Sequence, residues 1–110
     1  MKTDRELLEL AAKAIGFNLH VNMVGASQIF KHEEYVCFWN PLTDDGDALR
    51  LAASLEMDIC FHSEGAELMN VNPHVYTDDS DGDQMQATRR AITRAAAAIG
   101  EQQNELSREA

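Results

Sequence analysis

Cysteine, proline, aromatic side chains and positive charge are all scarce in this 110-residue chain. The two cysteines, Cys37 and Cys60, are too few for a disulfide framework and are not spaced as a metal knuckle or redox pair. Each stands inside an apolar segment, which predicts buried free thiols in a reducing compartment. Nine Lys and Arg face nineteen Asp and Glu, a formal net charge of -10. That balance argues against nonspecific binding to nucleic acid or anionic membrane, because phosphate contacts need clustered cations. No apolar run approaches the roughly 20 residues of a membrane-spanning helix. Met1 to Glu9 is charged and has no signal-peptide core, so the expected location is cytoplasmic. Aromatics are 6% of the chain, yet hydrophobic residues make up 45%. That is ordinary for a globular protein and excludes full disorder. The length fits one domain, expected over residues 1–100, with a polar tail at 101–110 that frays or continues as solvated helix.

Three helices are expected. In the first, about Asp4 to Ile15, the residues Leu7, Leu8, Ala11, Ala14 and Ile15 form one apolar face. Thr3 and Glu6 read as a capping box, and Gly16 as its stop. The second follows Thr43-Asp44-Asp45, with Thr43 as cap and Ala48, Leu49, Leu51, Ala52 and Leu55 as buried face. The third begins near Asp83 or Gln84 and buries Ala87, Thr88, Ala91, Ile92, Ala95, Ala96 and Ile99, leaving Arg89, Arg90, Thr93 and Arg94 outward.

Short strands fill the intervals. Phe17–Val24 and Met57–His62 alternate, and Leu68–Tyr76 is a weaker strand in which Pro73 argues for an edge position or a break. Tyr35-Val36-Cys37-Phe38-Trp39 is continuously apolar, which predicts a strand covered on both faces. No internal repeat is visible. The order of elements describes an α+β fold: a mainly antiparallel sheet of about four strands with three helices packed on it.

Two blocks carry a family resemblance. One is Trp39-Asn40-Pro41-Leu42-Thr43-Asp44-Asp45-Gly46-Asp47-Ala48-Leu49-Arg50-Leu51-Ala52. The other is Ala87-Thr88-Arg89-Arg90-Ala91-Ile92, continuing into an Ala-rich helix that ends Ile99-Gly100. Together they resemble the phage ABA sandwich domain, a family of small proteins encoded by tailed phages and prophages; Glu9 to Phe17 fits its opening more loosely. The resemblance implies a helix–sheet–helix layered sandwich and a phage or prophage origin. It implies no activity and offers no catalytic residues.

Several residues are candidates for binding. Asp44, Asp45 and Asp47 invite a divalent cation, but carboxylates at the start of one helix more often serve its dipole. Asp78, Asp79 and Asp81 lie in a calcium-loop-like stretch that lacks the bidentate Glu such a loop requires. His20, His32, His62 and His74 have no metal spacing, and His62-x-Glu64 lacks the Pro-Cys-x-x-Cys half of a zinc deaminase site. No metal or other cofactor is expected. Arg89, Arg90 and Arg94 are the one local excess of positive charge. No nucleophile elbow or phosphate loop is present, so the expected role is non-enzymatic.

The expected partner is a host protein, with no direct nucleic acid and no membrane. One version is an anti-defence inhibitor whose acidity imitates nucleic acid. The alternative is a small-molecule or nucleotide binding module using the Arg89–Arg94 face or the groove of a homodimer, since a free sheet edge permits two-fold pairing.

Overall fold

The computed structural model describes residues 2–62, 65–69, 75–76 and 83–109. In chain order the elements are α1 (Asp4–Ala14), β1 (Asn18–Val21), β2 (Ser27–Lys31), β3 (Glu34–Phe38), α2 (Asp45–Ser54), β4 (Asp58–His62), β5 (Gly65–Met69), β6 (Val75–Tyr76) and α3 (Gln84–Glu109). The class is α+β, with three helices among the described residues. Its strands form two antiparallel sheets, β1-β2-β3 and β4-β5-β6, rather than one sheet of about four strands.

Local chemistry sets the boundaries of α1. The Glu6 N–H donates to the Thr3 hydroxyl and the Glu6 carboxylate accepts from Thr3, completing the capping box. At the other end Gly16 takes φ 85°, with the Phe17 N–H donating to Ala12 O and the Gly16 N–H to Lys13 O. Those two bonds are a Schellman closure.

The end of α2 repeats this closure. The Met57 N–H donates to Ala52 O at 2.9 Å, the Glu56 N–H to Ala53 O at 3.2 Å, and Glu56 has φ 55°. The correspondence extends further. Leu7, Leu8, Ala11 and Ala12 are the buried residues of α1, and Asp47, Ala48, Leu51 and Ala52, forty places on, are those of α2. Forty places further, Ala87, Thr88, Ala91 and Ile92 are buried on α3. In the sheets, Asn18 pairs with Phe30 and Leu19 with Ile29, as Asp58 pairs with Met69 and Ile59 with Leu68. Ser27 and Ile29 face inward on β2, as Ala66 and Leu68 do on β5. The chain is therefore a helix plus three-stranded meander, the same unit again, and a third helix. This corrects the expectation of no internal repeat.

One hydrophobic cluster joins the helices to both sheets. It contains Leu8, Ala11 and Ala12 of α1; Ile29 of β2; Trp39; Ala48, Leu51 and Ala52 of α2; Met57; Leu68 of β5; and Ala91, Ile92, Ala95 and Ala96 of α3. Leu51 and Leu68 are fully buried, each worth about 1.5–3 kcal/mol of transfer free energy. The helices α1 and α3 run side by side in the same direction: Arg90 pairs with Asp4, Gly100 lies against Leu10, and Lys13 donates to Asn104. The stretch 101–109 thus continues α3 as helix and still meets α1. Thr93, expected outward, is fully buried and returns its hydroxyl to Arg89 O at 2.8 Å. That local bond satisfies a polar group that burial would otherwise penalise.

Candidate functional site

The antiparallel sheet β1-β2-β3 lays one face on the helices. Its other face faces water, where polar residues normally stand. Here it carries a row of rings. Cross-strand pairing of Phe30 with Tyr35 and of Gln28 with Phe38 puts those aromatics on one side. His20 meets Phe30 edge-on at 5.9 Å between centroids, Phe30 meets Tyr35 at 5.8 Å, and Tyr35 meets Phe38 at 6.1 Å. Edge-to-face pairs of this kind each contribute about 0.5–1.5 kcal/mol beyond burial. The row nevertheless leaves large apolar area in solvent, since Tyr35 is 51% and Phe38 59% exposed.

The strand β3 was expected to be covered on both faces. All five of its residues are exposed. Among the described residues its outer edge pairs with no other strand, and no helix lies over its outer face. A bulge between Ile29 and Phe30 leaves Val36 unpaired on β3, which bends the strand locally. Cys37 and Cys60, expected buried, are both exposed free thiols. Each sits on a strand whose neighbours do not close over it.

The β2–β3 turn borders this face. It holds only His32 and Glu33, with φ of 52° and 67°. A two-residue hairpin turn with both φ positive is the type I′ geometry, which favours Asn-Gly. Two bulky residues there are strained, by about 1–2 kcal/mol each. Glu33 lines a surface hollow with Asn18, Leu19, His20 and Phe30. Strain kept next to an exposed aromatic row points to use of the side chains. The double variant His32→Asn/Glu33→Gly is expected to be more stable by about 1–2 kcal/mol in urea unfolding. Unchanged or lower stability would show that the turn is not strained.

On the other side of β3, the Trp39-Asn40-Pro41 segment leads into α2 through a carboxylate network. Asp44, not Thr43, is the N-cap: its carboxylate accepts from the Asp47 N–H at 2.8 Å. Asp47 is buried, and its two oxygens accept from the Asn40 N–H at 2.9 Å and from Arg50 Nη2 at 2.7 Å. The Asp47 hydrogen bond, aided by its charge and that of Asp44, raises the Arg50 pKa above the usual guanidinium value. The Asn40 carboxamide closes the turn by accepting from the Leu42 N–H. Between β3 and α2 lies a cleft of about 370 Å³, lined by Ile15, Phe17, Cys37, Trp39, Leu51 and Arg50 among others.

The other anticipated residues are divided. Arg89 and Arg90 are consecutive, so they diverge by about 100° around the helix. Arg89 turns toward α2, where it donates to Leu42 O at 3.1 Å and pairs with Asp45 at 2.5 Å. Arg90 turns toward α1 and donates twice to Asp4. Arg94 is exposed and has no ion pair among the described residues; with Arg90 and Lys2 it lines a groove of about 270 Å³ between α1 and α3. Lys2 pairs with Glu101 at 3.0 Å. The three arginines therefore do not form one patch. Asp44, Asp45 and Asp47 each serve a backbone or arginine partner, and no group of three or more potential metal ligands gathers among the described residues. Asp78, Asp79 and Asp81 lie outside the described residues.

The aromatic row is the feature that sequence reasoning missed. Its members span 19 positions of chain, from His20 to Phe38, and only the strand register brings them together. No family model matches the chain, and neither a curated protein nor a solved structure matches it.

Proposed function

We propose that this is a phage- or prophage-encoded accessory protein that acts by binding a basic host protein through the outer face of the β1-β2-β3 sheet. The observation that carries this reading is the row His20, Phe30, Tyr35 and Phe38 on a solvent face. In the second unit the register puts Cys60 where His20 stands and Met69 where Phe30 stands, with Tyr76 opposite Glu67 as Phe38 is opposite Gln28. Aromatic residues exposed beyond what folding needs are typical of interfaces, where Tyr and Phe supply large contact area.

Charge supports the choice of partner. A chain with a net charge of -10 attracts basic proteins and repels polyanions. Glu33 and Glu34 stand at the end of the aromatic row, and rings accept Lys and Arg through cation–π contact. A host target whose own ligand is nucleic acid fits this chemistry, as an inhibitor of a defence system would need. The Arg90–Arg94 groove fits a phosphorylated ligand less well. Two of its cations are already answered by Asp4 and Glu101.

The test is affinity capture from bacterial lysate with the tagged protein and with Tyr35→Ser/Phe38→Ser, each at low and high salt. One host protein is expected in stoichiometric amount with the parent chain, weakened at high salt and lost with the double variant. Both side chains are about half exposed, but the double variant loses the Phe30–Tyr35 and Tyr35–Phe38 ring pairs, so stability is expected to fall by about 1–3 kcal/mol, and urea unfolding confirms that it remains folded. Equal recovery by the two forms, or no partner at all, overturns the reading.

A further inference from the structure

The exposed strand has more to offer than rings. β3 is an edge, so one row of its backbone donors and acceptors has no strand partner among the described residues. The Trp39 N–H donates inward to Ser27 O at 3.0 Å, so by strand alternation the Phe38 N–H points to the open side. Such an edge is a template for another strand. The two sides of this edge differ in chemistry. On the outer side lie Tyr35 and Phe38. On the inner side lies the cleft of about 370 Å³ walled by Ile15, Phe17, Cys37 and Leu51.

The repeat shows that this cleft is not inherent in the fold. In the second unit the helix α3 packs on β5 and β6, whereas α2 makes little contact with β2 or β3. The space that α3 fills beneath one sheet stays open beneath the other. At its far end Asp47 and Arg50 are paired at 2.7 Å.

We propose that the free edge of β3 takes up an extended segment of the basic partner as an added fourth strand, with apolar side chains in the β3–α2 cleft and Lys or Arg side chains over Tyr35 and Phe38. The inference rests on the protein-binding reading above and names its mode. Strand addition joins main-chain hydrogen bonds, which give affinity, to alternating pockets, which give sequence preference. Alternation is demanded because successive side chains of a strand point to opposite faces. Charge selects a foreign segment over a second copy of this chain. Self-pairing would bring Glu34 of two molecules, each of net charge -10, to one edge.

A random twelve-residue peptide library displayed on a carrier, selected against the whole protein, supplies the probe. Enriched sequences are expected to alternate apolar with Lys or Arg over at least five positions. The best-enriched peptide, made synthetically, is then N-methylated at one alternate set of amides or at the other. One set is expected to weaken binding tenfold or more and the other to leave it within twofold, because only one set faces β3. Glu34→Lys is expected to weaken binding severalfold at low salt and not at high salt.

Failure has separable forms. If Tyr35→Ser/Phe38→Ser abolishes binding while both methylated peptides bind normally, strand addition is wrong and the surface reading stands. If that variant binds the peptides as the parent does, the surface reading itself fails. Helical or proline-rich enriched sequences, or none, overturn the inference. So does a two-fold dimer by sedimentation at micromolar concentration that the enriched peptide dissociates, since the edge would then be occupied by its own copy.

Discussion

Gly100→Ala is expected to destabilise the protein by about 2–3 kcal/mol, which is severe against the 5–15 kcal/mol total of an ordinary domain. Gly100 is buried in α3 where that helix crosses α1. A Cβ there would lie 2.9 Å from the carbonyl carbon of Leu10 and closer still to its oxygen. The obstacle is backbone, which cannot swing aside as a side chain can. The helices must separate instead, and α1 and α3 share the contacts of Leu8, Ala11, Ala12, Ala95 and Ala96 in the core. In a helix interior alanine is intrinsically better than glycine by nearly 1 kcal/mol, so any net loss understates the steric cost. Gly25→Ala is the comparison. Its Cβ would meet nothing within 4 Å, and only the φ of 85° opposes it, at about 1–2 kcal/mol. Urea unfolding of both variants checks the claim. A Gly100→Ala protein as stable as the parent would mean that the two helices do not approach so closely.

That contact also shows what the sequence could and could not disclose. The ends of α1 were legible because their signals are local: Thr3 and Glu6 are three residues apart, and at Gly16 the helix closes with bonds from Phe17 N–H to Ala12 O and from Gly16 N–H to Lys13 O. The apolar face of α3 was legible by spacing, and that of α2 apart from Leu49, which was expected buried and is 65% exposed; Asp44, Asp45 and Asp47 were legible by their place at a helix start. Burial was less legible wherever a distant element decides it. The run Tyr35 to Phe38 has the composition of a covered strand, but whether anything covers it depends on where α2 packs. Cys37 follows the same strand into solvent. Thr93 reads as polar surface until Arg89 O accepts its hydroxyl and α3 turns it inward. The repeat was hidden because its conserved features are positions of burial and of backbone closure, while residue identities differ. Leu7 corresponds to Asp47 and Gly16 to Glu56, and the β1–β2 connection of 22–26 answers to one of 63–64. Of the site, the arginines were visible as a cluster in sequence and are divided in space. The aromatic row was dispersed in sequence and is joined in space. Both outcomes follow from periodicity, which speaks for one element at a time.

Asp47→Ala is expected to cost about 2–3 kcal/mol and to disturb the site as well as the fold. Asp47 stands where its counterpart in the first unit is Leu7, so the repeat has exchanged a buried leucine for a buried carboxylate. The exchange is tolerated because both oxygens are occupied, one by the Asn40 N–H and one by Arg50. Removing the carboxylate leaves the Asn40 N–H without its acceptor in a half-buried turn, at about 1–3 kcal/mol. The Arg50 bond adds little, since that guanidinium is largely exposed and water replaces the carboxylate. Asp47→Asn separates these contributions. Its carboxamide oxygen can still accept from Asn40, so its loss should be nearer 1 kcal/mol. Asp44→Ala, which removes only an N-cap, should likewise cost about 1 kcal/mol. The order Ala at 47, then Asn at 47 and Ala at 44, is read from urea midpoints. If Asp47→Asn is as damaging as Asp47→Ala, the ion pair with Arg50 carries the energy and the turn does not. The turn matters beyond stability because it sets Trp39 at the end of β3 and against Leu51 in the β3–α2 cleft. An Asp47→Ala protein that remains folded should therefore capture its partner less well than Asp44→Ala, although neither substitution touches the aromatic row.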